Sequence, residues 1–254
     1  MAASSTKTPR ERYRAQVREE IKERAWEQIA TAGASALSLN AIAKLMGMSG
    51  PALYRYFGSR DELITELIRD AYRSLADTVR AAAGPDADLS ALARTLRGWA
   101  LEDPQRYFLV YGTPVPGYHA PDYITAIASE IMAVLLDACE ASAPPGPETQ
   151  GPETPGSGGP GPETPGSGAP GSGGPAATAL ESHLEARLEG HRPWAEDQRA
   201  APVVLHHALT VWTRLHGVLS LELAGHFNGM GFDPAMLYEA ELGELIPQAP
   251  AGRP

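Results

Sequence analysis

Ser49, Ala52, Arg55 and Tyr56 fall three to four positions apart, the spacing that brings side chains onto one face of a helix. Their types share one use. Arg55 carries a planar fork of donors that can pair bidentately with guanine O6 and N7, and Ala52 is small enough to meet a thymine methyl. The hydroxyls of Ser49 and Tyr56 suit phosphate oxygens. On the opposite face Leu53 and Phe57, four apart, would anchor the helix against Ile42, Ala43 and Met48. Arg60, beside the amino end of the next helix, adds a positive charge where a phosphate would pass. This is the chemistry of groove recognition and not of bond making. The chain has no HExxH, GxSxG or GxxxxGK[ST], and no GxGxxG set between a strand and a helix as a dinucleotide fingerprint requires, so no catalytic residue and no cofactor is assigned.

Charge places such a surface in the first quarter of the chain. The net charge is -10, from 21 Lys/Arg and 31 Asp/Glu, but residues 1–60 hold ten basic and five acidic residues, leaving eleven and twenty-six for residues 61–254. A basic segment of net +5 attracts polyanions locally while an acidic body of net -15 repels them. Cys139 is the only cysteine, which rules out an intramolecular disulfide and thiolate clusters. His206 and His207 are adjacent, so on a helix they point about 100° apart and cannot chelate one ion together; with His183, His191 and Cys139 they give no metal site. No apolar run approaches the roughly 20 residues of a spanning helix. The polar, charged stretch from Met1 to Arg24 lacks an apolar signal core, so a cytoplasmic protein with no membrane partner is expected.

The positioning elements all read as helices. Residues 1–9 are expected to be disordered. From Arg10, Val17, Ile21, Ala25 and Ile29 recur every four residues until Gly33. Ser38 caps a short second helix ending at Gly47, and a tight turn through Met48-Ser49-Gly50-Pro51 starts a third that runs to about Phe57. Ser59, with Glu62 three residues on as a capping box, opens a fourth helix that runs to Gly84-Pro85. Further helices are expected near 89–102, 104–111, 122–140, 176–189, 195–224 and 233–245. Residues 144–175 contain ten Pro and eleven Gly and a decapeptide repeat, a disordered insertion with no apolar face.

Three short helices with a tight glycine turn before the third outline a helix-turn-helix. The run Leu39-Asn40-Ala41-Ile42-Ala43 through Gly47-Met48-Ser49-Gly50-Pro51-Ala52-Leu53-Tyr54-Arg55-Tyr56-Phe57-Gly58-Ser59-Arg60-Asp61-Glu62-Leu63 resembles the signature of the TetR repressor family over residues 17–70. The resemblance implies DNA contact by Ser38, Asn40, Ser49, Gly50, Pro51, Ala52, Tyr54, Arg55, Tyr56 and Arg60. Gly50 departs from the long polar residue many members carry there, which shifts discrimination onto Arg55 and backbone N–H groups. Trp212-Thr213-Arg214-Leu215-His216-Gly217, with Leu219, Leu221 and Glu222, resembles a subtype of ligand-responsive dimers.

The expected architecture is all-α: a DNA-binding domain at residues 10–60 joined to a helical effector-binding and dimerisation domain at 61–254. Two apolar stripes on the helix near 203–224 suggest a core face and a subunit face. A homodimer interface is assigned to Val204, Ala208, Val211, Leu215, Val218, Met236 and Leu237. Trp99, Tyr107, Phe108, Tyr111, Tyr118 and Tyr123, with Trp212 and His216, read either as core or as the wall of a pocket for a small organic effector, with the loop Gly112–Gly117 as a gate. The expected function is a ligand-released repressor on palindromic double-stranded DNA; the alternative is a constitutive or architectural DNA-binding protein without an effector.

Overall fold

The computed structural model describes residues 8–84, 88–112, 114–142, 175–188 and 200–246. The first seven residues, most of the Pro/Gly-rich insertion, Thr113 of the expected gate, His191 and the residues 195–199 expected to open a helix lie outside them. Ten α-helices and one 3₁₀ turn, with no strand, make up the described residues.

Helix α1, Pro9–Ala32, begins earlier than the periodicity indicates, because Thr8 accepts from the Glu11 N–H, Glu11 reaches back to the Thr8 N–H, and Pro9 needs no donor. Thr8 and Pro9 therefore belong to a capped helix and not to a disordered start. Gly33, at φ +76°, ends it, and a 3₁₀ turn at Ala34–Ala36 leads into α2, Leu39–Leu45. Gly47 turns the chain at φ +65°, with its N–H on the Lys44 carbonyl and the Met48 N–H on that of Ala43, the paired bonds of a Schellman stop.

Helix α3 is shorter than expected. Regular α geometry covers only Gly50–Leu53, and the chain then tightens through Arg55 N–H to Ala52 O and Tyr56 N–H to Leu53 O, three-residue bonds that bring Phe57 inward. Helix α4, Arg60–Ala82, has its cap at Ser59, which accepts from Glu62 N–H at 3.0 Å. The other half of the expected capping box is displaced, since Glu62 Oε2 takes the Gly58 N–H at 2.7 Å.

Beyond it lie α5 (Leu89–Glu102), α6 (Pro104–Tyr111), α7 (Asp122–Ala141), α8 (Pro175–Leu188), α9 (Pro202–Leu223) and α10 (Pro234–Leu245). Pro175, expected as the end of the insertion, opens α8. Helix α9 starts at Pro202, not Ala195, because Ala201 is extended at ψ 149° and proline follows in the first turn.

Two apolar cores result. Val17, Ile21, Ile42, Leu53 and Phe57 form one with the amino-terminal half of α4, and Val115 and Ile124 close it from the other side. Leu75, Ala76 and Val79, from the carboxy-terminal half of α4, enter the second with α5, α6, α7, α9 and α10. One helix of 23 residues thus belongs to both cores, and its rigidity makes it the mechanical link between them.

Candidate nucleic-acid interface and ligand cavity

The first turn of α2 and the start of α3 lie side by side. Ser38 Oγ accepts the Ala41 N–H at 3.4 Å, while the Ser38 N–H donates to Gln28 Oε1 at 3.0 Å, tying α2 to α1. A Cβ on Gly50 would stand 3.3 Å from Asn40 Oδ1, so a bare backbone lets the two helix starts approach. Asn40, Ser49, Pro51, Tyr54 and Arg55 are exposed, and Ser38, Gly50 and Ala52 are half-buried. Ser49 occupies the cap position of α3, yet its side chain makes no cap hydrogen bond, which leaves the hydroxyl to solvent or a ligand.

Two of the expected contacts have other occupations. The Arg60 guanidinium donates to the carbonyls of Ala34 at 2.8 Å and of Leu37 and Ser35 at 3.2 Å, so it fastens the 3₁₀ turn onto α4 before any phosphate arrives. Tyr56 is half-buried against the amino-terminal core, with the Arg14 guanidinium 5.8 Å above its ring.

Two residues outside the expected set hold the turn that follows α3. Arg14 donates to the Arg55 carbonyl at 3.0 Å; Arg18 donates to the Tyr56 carbonyl and lies 4.1 Å over the Phe57 ring. Glu62 and Glu66 of α4 face Arg18 at 3.8 and 3.5 Å. The carbonyls at the end of a short helix have no intrahelical partners, and these guanidinium groups supply them. The signal in the sequence was the pair of arginines four apart on α1, flanking the core position Val17.

In the second core a cavity with about 440 Å³ of atom-free space, part of it open to solvent, lies between α4, α5, α7 and α9. Its lining is aliphatic, with Val79, Leu92, Leu96, Ile131 and Leu215 among the walls, apart from Trp212 and His216. The His216 ring sits 4.1 Å from Trp212, 4.5 Å from Tyr111 and 5.7 Å from Tyr107, centre to centre. Its Nδ1 pairs with the Tyr107 hydroxyl at 3.0 Å, which in turn meets Ser220 Oγ at 2.7 Å, whereas Nε2 is buried without a partner. Burial lowers the imidazole to about 4, so it is neutral at physiological pH.

Of the eight aromatic residues assigned to a pocket, Trp212 and His216 line this cavity, and Tyr107 and Tyr111 stand behind them. Trp99 is core, with its indole N–H on Ser74 Oγ at 3.1 Å. Phe108 borders a different cleft, with about 640 Å³ of atom-free space that includes open solvent, between the end of α1 and α6. Tyr118 belongs to the amino-terminal core, its hydroxyl 3.1 Å from that of Thr65, and Tyr123 is 49% exposed.

The subunit-face assignment also shifts. Val204, Ala208, Val211 and Leu215 are buried inside the chain's own core, so they have no surface to offer a partner, and Val218 and Leu237 are half-buried. The exposed apolar side chains on α9 and α10 and between them are Val203, Leu221, Met230, Phe232 and Met236, the last 71% exposed.

Among the described residues no three His, Cys, Asp or Glu side chains group to hold a metal, and no helix is long and apolar enough to cross a membrane. His206 instead pairs with Glu181 at 2.9 Å, and burial raises the Cys139 thiol to about 12, far from a reactive thiolate.

Comparison with known proteins agrees with this geometry. Residues 21–67 match the family described as bacterial regulatory proteins, tetR family, and residues 89–245 match the tetracyclin repressor-like C-terminal domain. The chain is 33% identical to the HTH-type transcriptional regulator Rv1816 of Mycobacterium tuberculosis, over 92% of each chain, and equally to the HTH-type transcriptional regulator Mb1846 of Mycobacterium bovis. The solved structure of SCO4313 is 61% identical with a TM-score of 0.74, covering 94% of this chain and 99% of that one. A protein from Rhodococcus sp. RHA1, 16% identical with a TM-score of 0.56 and covering 96% of this chain and 97% of that one, shares the fold.

Proposed function

This chain belongs to the TetR family of bacterial regulatory proteins and is a DNA-binding transcriptional regulator, and from that premise we propose that it is a homodimeric repressor released from a palindromic operator by a small organic ligand. Residues 10–60 act as the reading head and residues 61–254 as the effector-binding and dimerisation body, with α4 common to both. Asn40, Ser49, Gly50, Pro51, Ala52, Tyr54 and Arg55 meet DNA, Arg55 reading a base edge. Ser38, Tyr56 and Arg60 contribute mainly by holding that surface in place. The exposed side chains of α9 and α10, Val203, Leu221 and Met236 among them, meet the partner, and twofold symmetry sets half-sites about 34–36 Å apart or multiples of it.

The observation that carries the release step is the position of Val79. It lines the cavity on the helix whose other end, Leu63 to Ile68, is packed in the reading head's core. A ligand that fits the cavity best with α4 displaced alters the spacing of the two recognition segments, and only such a difference in affinity shifts the equilibrium. A coupling of about 1–3 kcal/mol lowers operator affinity about 5–150-fold.

Footprinting the DNA that flanks the chain's own gene, with and without apolar compounds, tests the reading. The expected result is symmetric protection that one compound abolishes. Protection that persists with the cavity demonstrably filled overturns the release step and leaves a constitutive DNA-binding protein. Arg55→Ala is expected to relax preference at one position of each half-site by about 1–3 kcal/mol, measured by binding to single-base operator variants; uniform weakening on all of them would assign Arg55 to phosphate.

A further inference from the structure

The cavity wall offers a ligand little polarity. Among its lining residues only Trp212 and His216 have polar side-chain atoms, and there is no lysine or arginine. His216 is held from three sides by Tyr107, Tyr111 and Trp212, with its Nδ1 edge on the Tyr107 hydroxyl. The ring's remaining polar atom, Nε2, is buried and unpaired, a state that costs free energy unless something fills it.

We propose that the cavity takes an uncharged, mainly aliphatic molecule bearing one hydroxyl group, which pairs with His216 Nε2. The reading rests on the effector role assigned to this cavity and names the chemical class. The hydroxyl follows from the hydrogen-bond chain behind the ring. If Ser220 donates to Tyr107 and Tyr107 to Nδ1, then Nε2 carries the proton and needs an acceptor. If the chain runs the other way, Nε2 is a bare acceptor and needs a donor. A hydroxyl answers both. A carboxylate does not: no cation lines the cavity, the imidazole is neutral, and a buried unpaired charge costs far more than a buried hydroxyl.

Titration calorimetry of the purified full chain with decan-1-ol, decanoate and decane separates the possibilities. Decan-1-ol is expected to bind about tenfold or more tightly than either of the others. His216→Phe keeps the ring and removes the nitrogens, and is expected to lose that preference while still binding decane. In the wild type, the Nε2 resonance of ¹⁵N-labelled His216 is expected to shift with decan-1-ol and not with decane, a readout that needs no variant to fold. Decanoate binding as tightly as the alcohol, a His216→Phe protein with undiminished preference, an unmoved Nε2 resonance, or failure of all three compounds to bind overturns the proposal. Failure of the effector role reads differently: decan-1-ol then binds with the Nε2 shift but leaves operator protection intact.

Discussion

In the amino-terminal core Ile21, Ala25, Ile42, Leu53, Phe57 and Leu63 are all fully buried, and its rim is braced by Arg14, Arg18 and Arg60, each donating to backbone carbonyls. The second core buries larger residues just as completely, Tyr107 and Tyr238 among them, yet it leaves a partly open cavity with His216, whose Nε2 has no partner, among its lining residues. The same helix, α4, runs through both. A close-packed unit transmits displacement without absorbing it, whereas a unit with unfilled volume has room to repack around a guest. The filled part of the amino-terminal core is the packing around Phe57, since its far edge, at Ile29 and Val115, borders the cleft to α6, and the contrast is between that packing and the cavity beside Trp212 and His216.

Truncation should expose the difference most strongly. Phe57→Ala removes a fully buried ring, and is expected to cost about 3–5 kcal/mol by chemical denaturation. A cost near 1 kcal/mol would mean the head is as compliant as the body.

Next in size is a pH effect confined to the body. The folded His216 imidazole sits at about 4, held there by burial, against 6.5 for the free side chain. The unfolded chain thus binds a proton that the folded chain refuses, and stability is lost as pH falls from 6.5 to about 4, by at most about 1.4 kcal/mol per pH unit for one group. His207, also lowered by burial and by His206, adds in the same direction. Comparing denaturation of wild type and His216→Phe across that window isolates one histidine; identical slopes would remove His216 from the account.

Loss of a brace should be felt only in the head. Arg18→Ala deprives the Tyr56 carbonyl of its donor and Phe57 of its guanidinium cover, and is expected to destabilise by about 1.5–3 kcal/mol. Operator affinity should fall while dimerisation, followed by sedimentation, is unchanged.

The smallest effects should have opposite signs. Ala25→Val adds volume to the close-packed head, at a cost of about 1–3 kcal/mol, whereas Ala93→Val fills part of the cavity and is expected to gain about 0.5–2 kcal/mol. If both destabilise alike, the void is no reserve of space.

Elements marked by local chemistry were legible in the chain. Gly33 and Gly47 needed left-handed φ, Ser38 and Ser59 needed only an N–H three residues ahead, and the four-residue apolar spacing of α1 faced one core. What misled was any feature whose meaning depends on a distant partner. The stripe Val204, Ala208, Val211 and Leu215 is apolar whether it meets its own chain or another, and only its burial under α5, α7 and α10 chose. Arg60 carries the charge a phosphate wants, but the 3₁₀ turn brought three carbonyls within its reach.

Amino-acid order alone therefore determined that the described residues are helical, roughly where most of the helices lie, the Ser38 and Ser59 caps and the glycine turn between α2 and α3, because each depends on contacts within a few residues. Tertiary packing decided which arginines brace and which remain free, which stripe of α9 is interior, and where the void lies with His216 at its wall. Those outcomes arise from side chains a hundred positions apart, such as Tyr107 and His216, and spacing along a chain does not encode distance across a core.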